Sequence, residues 1–296
     1  MTHQHSNRSP TRFRLGAVFL LTALVLAVEV AGGIMSGSLA LLGDAGHMLT
    51  DLTAIGISWL ASRLGERRAD PNRTYGYARL EILAALANGL LLVGLAGGLI
   101  VEAVKRIAEP SHVSAGIMLW VAMTGLAANV AAIALLHRGR ENLNLRSVYL
   151  HVAGDTISSF AVIGGALALR AGGPEWIDPA ITLVLVMLVI VSSVRLILES
   201  TEVLLEAVPR GISSEAVRQR IRAIPGVADL HDLHIWSITS DLHALSGHLT
   251  LDPGLTTSPD AVLRDAQAVL SSEFAITHST LQLEGVEYAG CDQTHD

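Results

Sequence analysis

Two apolar stretches of the chain each carry a histidine followed four residues later by an aspartate: His47 and Asp51 in H-M-L-T-D, His151 and Asp155 in H-V-A-G-D. Four residues of α-helix turn ~400° and climb ~6 Å, so each imidazole shares a helix face with its carboxylate. An ionisable group at the middle of a membrane helix costs roughly 2.5–3.5 kcal/mol to insert, and such groups persist where they pair or where they handle ions and protons. Brought together, the two pairs offer two nitrogens and two oxygens. That set suits tetrahedral zinc, whereas an all-carboxylate set would suit manganese or magnesium. The competing reading is that the four residues are interhelical hydrogen bonds that only hold helices together.

The elements that must position these residues are membrane spans. The chain has 296 residues, of which 51% are hydrophobic and 16% charged, and its mean hydropathy is +0.49, too apolar for an ordinary soluble domain of this size. Six apolar stretches reach the ~20 residues that cross a bilayer, at 15–35, 38–60, 80–101, 113–136, 148–169 and 177–198. The polar leader 1–14 precedes an apolar run longer than a signal-peptide core and without a clear cleavage site, which predicts a retained first helix. Eleven basic residues fall in the leader and the second-to-third and fourth-to-fifth connections, against three (Lys105, Arg106 and Arg170) in the opposite loops. This bias predicts that both termini lie in the cytoplasm. The second and fifth spans then run antiparallel. Counted from the cytoplasmic side, His47 lies roughly 11 residues deep and Asp155 roughly 10, Asp51 about 7 and His151 about 6. The matching levels favour one shared ion over separate hydrogen bonds.

From residue 206 onward the character changes. The segment 206–296 holds 13 acidic and 5 basic residues, whereas 1–205 holds 14 and 15. An acidic tail argues against nucleic-acid binding and suits a domain that meets cations. The single cysteine, Cys291, excludes intrachain disulfides and cysteine-rich metal sites, which leaves His, Asp and Glu as ligands. The tail reads as helix 213–224, strand 229–239, strand 242–251, helix 258–274 and strand 277–284, an α-β-β-α-β order expected to fold as a small α+β sandwich. Alternation puts His248 on the face opposite Leu245, Leu249 and Leu251, and sets Gln282 and Glu284 against Leu281 and Leu283.

Other polar residues in the spans carry less. Asp44 shares the face of His47 and Asp51 and places a third carboxylate toward the outer mouth, with a hydrogen-bonding role as the alternative. Glu29, Asn88 and Asn129 read as interhelical contacts. The chain has no H-E-x-x-H helix and no glycine-lysine phosphate loop, which weighs against a zinc hydrolase and against direct ATP drive. An intramembrane receptor or a metalloenzyme without net ion flux remains the alternative function class.

The two H-x-x-x-D pairs, the run S-G-S-L-A-L-L-G-D-A-G-H before them, Y-G-Y-A-R-L-E-I-L-A-A-L-A-N-G at 75–89, Asp178-Pro179 and H-D-L-H-I-W-S at 231–237 resemble the cation diffusion facilitators, in their zinc-transporting branch. The likeness runs from residue 15 to 284. It implies a polytopic α-helical membrane protein with six transmembrane helices at 15–205 and a metallochaperone-like cytoplasmic domain at 206–296 for metal sensing and dimerisation. It further implies a non-enzymatic homodimer exporting zinc, with cadmium or cobalt as further cargo, against inward proton flow, and the short loops and compact chain favour a bacterial inner membrane. His47, Asp51, His151 and Asp155 would be the transport site, and a histidine at 47 resembles members that select zinc and cadmium over manganese and iron. His231, His248, His278 and Glu284 would hold regulatory zinc in the tail. Two departures are visible. Gln282 stands where some relatives have a histidine, and Arg73 stands where relatives that use Asp70 for a second site have one. The loop between the fourth and fifth spans offers His137 alone, and His3 and His5 read as part of a loose leader.

Overall fold

The computed structural model describes residues 8–65, 71–137 and 143–285, with the side chains of 8–15, 51, 54–55, 57–65, 137, 143–148 and 150–151 outside the described set. The chain divides into two compact units, Met1–Trp59 with Ala87–Leu196 and Leu60–Leu86 with Ile197–Asp296.

Long helices build the first unit: α1 (Arg8–Ser36), α2 (Leu39–Gly65), α3 (Leu80–Ala108), α4 (Ala115–His137), α5 (Leu143–Arg170) and α6 (Ile177–Leu204). Among the described residues five helices, α1 and α3 to α6, are long and apolar enough to cross a membrane. The helices outrun the apolar stretches. α1 includes Arg8, inside the segment expected as a leader, and α3 continues to Ala108 through Lys105 and Arg106. Extending an existing helix adds a backbone hydrogen bond for each residue fixed, and cations in a last turn meet the negative end of the helix dipole.

Alanine, valine and other compact side chains fill the space between helices: Ala40 and Leu41 of α2 pack with Met118 and Ala122 of α4, Val162 and Ala166 of α5, and Leu185 of α6. Gly32 lets α1 approach α4, because a Cβ there would stand 2.4 Å from Val121 Cγ2. Large apolar side chains face outward instead, with Leu20, Leu91 and Ile157 all more than 70% exposed. A water-facing surface would not carry so many, and a bilayer covers them at no cost.

One buried polar cluster fixes where α2 begins. Asp178, in the first turn of α6, is 0% exposed. Its carboxylate accepts from Ser38 Oγ at 2.6 Å, from Leu39 N at 2.7 Å and from Ala40 N at 3.3 Å. The carboxylate of α6 thus caps the N-terminus of α2, where four N–H groups have no partner within the helix. Gly37, with φ +70°, makes the turn out of α1 that permits this start.

In the second unit a three-stranded sheet, ordered β1 (Val227–Ser237), β2 (His243–Leu251), β3 (Ile276–Glu284), is backed by α7 (Ser214–Arg222) and α8 (Pro259–Phe274). The α-β-β-α-β order is as expected. β1 and β2 are antiparallel, whereas β3 runs parallel to β2, as α8 crosses over between them. Ser213 and Ser258 cap the helices with their hydroxyls, and Pro259 opens α8. Val217 and Ile221 from α7, and Val262, Ala266 and Leu270 from α8, pack on Leu230, Ile235, Leu245 and Leu249 of the sheet. The opposite face of the sheet carries His231, Ser246, His248, Gln282 and Glu284.

Candidate metal centre

α2 and α5 bring the first histidine of one pair against the aspartate of the other. His47 Nε2 lies 3.7 Å from Asp155 Oδ1, and both side chains are partly buried. Two ligands ~2.0–2.1 Å from a tetrahedral zinc stand ~3.4 Å apart, so a cation between these atoms needs only a small adjustment. Asp51 and His151 occupy the same two helices one turn along, and their side chains lie outside the described residues.

His47 and Asp155 line a cavity of about 340 Å³ together with Gly43, Asp44, Gly154 and Ser158, and with Leu185, Leu188, Val189 and Ser192 of α6. Gly43 and Gly154 present no side chain, which keeps the faces of α2 and α5 open there. Asp44 is 7% exposed, and its Oδ1 accepts from Ser158 Oγ of α5 at 2.8 Å. It therefore bonds across the helix pair as well as lining the cavity. Asn88 accepts from Thr53 at 2.9 Å and Asn129 donates to Ser159 at 3.4 Å, the interhelical contacts expected of them.

A second group lies on the polar face of the tail sheet. His231 and His248 are cross-strand partners on β1 and β2, and Glu284 ends β3 beside them. One ligand atom from each lies within 4.8 Å of the others. Glu284 is almost fully buried, with Oε1 2.8 Å from His248 Nδ1 and Oε2 3.4 Å from His231 Nε2. A buried carboxylate between two imidazoles fits zinc by ligand type, and three protein ligands leave a fourth position open. The surroundings orient these groups. Gln282 donates to Glu284 Oε1 at 2.9 Å, Asp229 Oδ2 stands 4.0 Å from His231 Nδ1, and Asp232 Oδ2 lies 3.7 Å from His248 Nε2. Burial works to raise the Asp229 carboxyl, but hydrogen bonds from Arg222 and the Leu230 N–H, with the charges of Arg222 and His231, outweigh it and hold the group below its usual range.

His278, expected with these three, is placed elsewhere. It sits opposite Ala244 on β3, exposed, with its ring edge-on to Tyr75 at 5.6 Å between centroids. Arg73 stacks over Tyr77 at 4.8 Å, and Asp70, His3 and His5 fall outside the described residues. Sequence reasoning missed Ser158, Asp232 and the capping role of Asp178. For the last, the available signal was an acidic residue at the start of an apolar span, which needs a partner.

Membrane-length helices that bring an imidazole and carboxylates to one cavity, in a chain that also carries a small α+β domain with its own histidine and glutamate cluster, fit a metal-handling membrane protein. Residues 15–205 match the cation efflux transmembrane domain and residues 209–286 the cytoplasmic domain of cation efflux proteins, and the chain belongs to the cation efflux family. It is 38% identical to the metal cation efflux system protein CzcD of Cupriavidus metallidurans over 98% of this chain and 91% of that one. It is 37% identical to the zinc transporter ZitB of Escherichia coli K12 over 96% and 93%, and 36% identical to a cadmium, cobalt and zinc/H(+)-K(+) antiporter of Bacillus subtilis 168 over 96% and 92%. The solved metal-bound C-terminal domain of the CzcD transporter aligns at 38% identity with 25% of this chain and 99% of its own, at a TM-score of 0.23.

Proposed function

We propose that this protein is a secondary transporter that exports zinc from the cytoplasm in exchange for protons, by alternating access around His47, Asp51, His151 and Asp155. The observation that carries the reading is the approach of His47 and Asp155 to 3.7 Å from two different helices, on a shared cavity. Asp51 and His151 each stand four residues along the same helices, the spacing by which the sequence groups them with His47 and Asp155. α2, 27 residues long, serves as the sixth span.

Coupling follows from ligand chemistry. Zinc binds neutral imidazole and ionised carboxylate, so metal and protons compete for the same atoms. An inward-facing site takes zinc from the cytoplasm, and an outward-facing site trades it for protons. No separate proton channel is required. Cadmium and cobalt, named for relatives, fit the same mixed nitrogen and oxygen set and are proposed as further cargo.

The chain is proposed to divide into a leader at 1–14, a transport domain at 15–205 and a cytoplasmic domain at 206–296, with both termini in the cytoplasm of a bacterial cell and the protein in its inner membrane. Two tails pair in a homodimer, and His231, His248 and Glu284 bind regulatory zinc there, joined by His278 if its contact with Tyr75 is released. The test is zinc uptake into sealed proteoliposomes. Wild-type protein accumulates zinc in proportion to an imposed pH gradient and Asp155→Ala does not; transport by Asp155→Ala at the wild-type rate would overturn the proposal.

A further inference from the structure

Glu29 lies in the apolar span of α1 and is 2% exposed. Its Oε1 stands 2.7 Å from where a Cβ on Gly125 of α4 would be, so the glycine makes room for the carboxyl. Among the described residues its Oε2 has no hydrogen-bond partner, and none of them sets a Lys or Arg against it. α4 has no Asp, Glu, Lys or Arg between Ala115 and His137, and Arg14, the nearest cation along α1, is 15 residues or ~22 Å away. Gly125 stands one turn before Asn129 on α4, and Asn129 donates to Ser159 Oγ of α5, which donates to the Asp155 carbonyl at 3.0 Å. The charged groups around Glu29 on neighbouring helices are thus Asp155 of α5 and Asp44 of α2, both acidic, with His47 beyond them at the cavity. An ionised carboxylate so placed lacks both a counter-charge and a full set of donors, which is expensive inside a bilayer.

Two changes relieve that cost: a proton on the carboxyl, or a divalent cation arriving beside Asp155. We propose that Glu29 is a proton-binding residue of the transport cycle, protonated while the His47 and Asp155 cavity holds no metal and deprotonated when a divalent cation enters it. The step is a proton transfer alone. The O–H bond breaks heterolytically, the electron pair stays on the carboxylate, and the proton leaves to water. Metal loading thereby expels a proton from a group that does not ligate the metal, and metal release draws a proton back onto it. The inference rests on the export reading.

The test counts protons. Zinc is titrated calorimetrically into the detergent-purified full chain in buffers of different ionisation enthalpy, comparing Glu284→Gln, which weakens the tail cluster, with Glu29→Gln/Glu284→Gln. The second protein is expected to bind zinc and to release about one proton fewer per ion at neutral pH. An unchanged proton count overturns the proposal. Should Glu29→Gln fail to fold, dicyclohexylcarbodiimide, an apolar reagent for protonated carboxyls, is applied to wild-type protein and the adduct mapped by mass spectrometry. Labelling of Glu29 that saturating zinc suppresses supports the proposal, and labelling that is absent, or indifferent to zinc, overturns it. Failure of the export reading looks different: protein with Glu29 intact then binds no zinc or releases no protons on binding it, and both readings fall.

Discussion

Replacing Asp178 with alanine deletes the acceptor of three donors at the start of α2: the Ser38 hydroxyl and the N–H groups of Leu39 and Ala40. The site is 0% exposed, so water does not substitute for the lost carboxylate without rearrangement. Loss of an N-cap costs ~0.5–2 kcal/mol, and each buried donor left unpaired ~1–3 kcal/mol. Ser38 Oγ already accepts from Leu41 N at 3.2 Å and remains available as a weaker cap, which limits the loss. A total of ~3–5 kcal/mol follows, and at ~2–4 °C per kcal/mol the melting temperature falls by about 6–20 °C. Asp178→Asn keeps one acceptor oxygen and is expected to lose ~1–2 kcal/mol. Thermal unfolding of the detergent-solubilised full chain, read by loss of the monodisperse peak, measures both. An Asp178→Ala protein that melts within ~1 °C of wild type would show that the carboxylate does not anchor α2.

Gly32→Ala puts a methyl 2.4 Å from Val121 Cγ2, and the same melting assay is expected to report a loss of ~1–3 kcal/mol from overpacking between α1 and α4; an unchanged midpoint means the two helices are not in close contact. Glu284→Gln removes the charge from the buried carboxylate between His231 and His248, and if the cluster holds zinc as proposed, its affinity, measured by competition with a chelator, is expected to fall at least as far as the ~10–100-fold seen for substitutions around a metal's ligands; equal affinity removes Glu284 from the site. Asp229 is held below its usual range in the fold. Its stabilising contribution is therefore full above the unfolded value of ~3.9 and is lost as pH falls through the lower folded value. Asp229→Asn is expected to lower the tail's stability at neutral pH and to flatten the acid limb of its stability profile, and a profile parallel to wild type contradicts this.

Hydropathy made the helices legible to within several residues at most ends, because insertion in a bilayer is decided by composition over a ~20-residue window. The same averaging hides ends that run into polar sequence. α1 already includes Arg8 and α5 already includes Leu143, because a helix, once formed, extends through residues no bilayer selects. In the tail, period-two alternation put His248 and Glu284 on the polar face, and the strand register then brought them together. Alternation assigns faces and says nothing of partners along a strand. His278 shares β3 with Glu284 yet stands six residues away, against Tyr75. Asp178 and Glu29 were obscure for a related reason. A single acidic residue in an apolar helix announces that a partner or a role is needed, but the donors on Ser38, Leu39 and Ala40 lie about 140 residues distant in sequence.

The convergence of ligands from α2 and α5 on one ion is tested most directly by zinc K-edge X-ray absorption on the full chain carrying His231→Ala, His248→Ala and Glu284→Ala, so that zinc in the membrane site dominates the signal. A four-coordinate shell of nitrogen and oxygen at ~2.0–2.2 Å with two imidazoles, reduced to one imidazole by His47→Ala or by His151→Ala, is the predicted result. A six-coordinate oxygen shell, or a spectrum that neither histidine substitution alters, would contradict it.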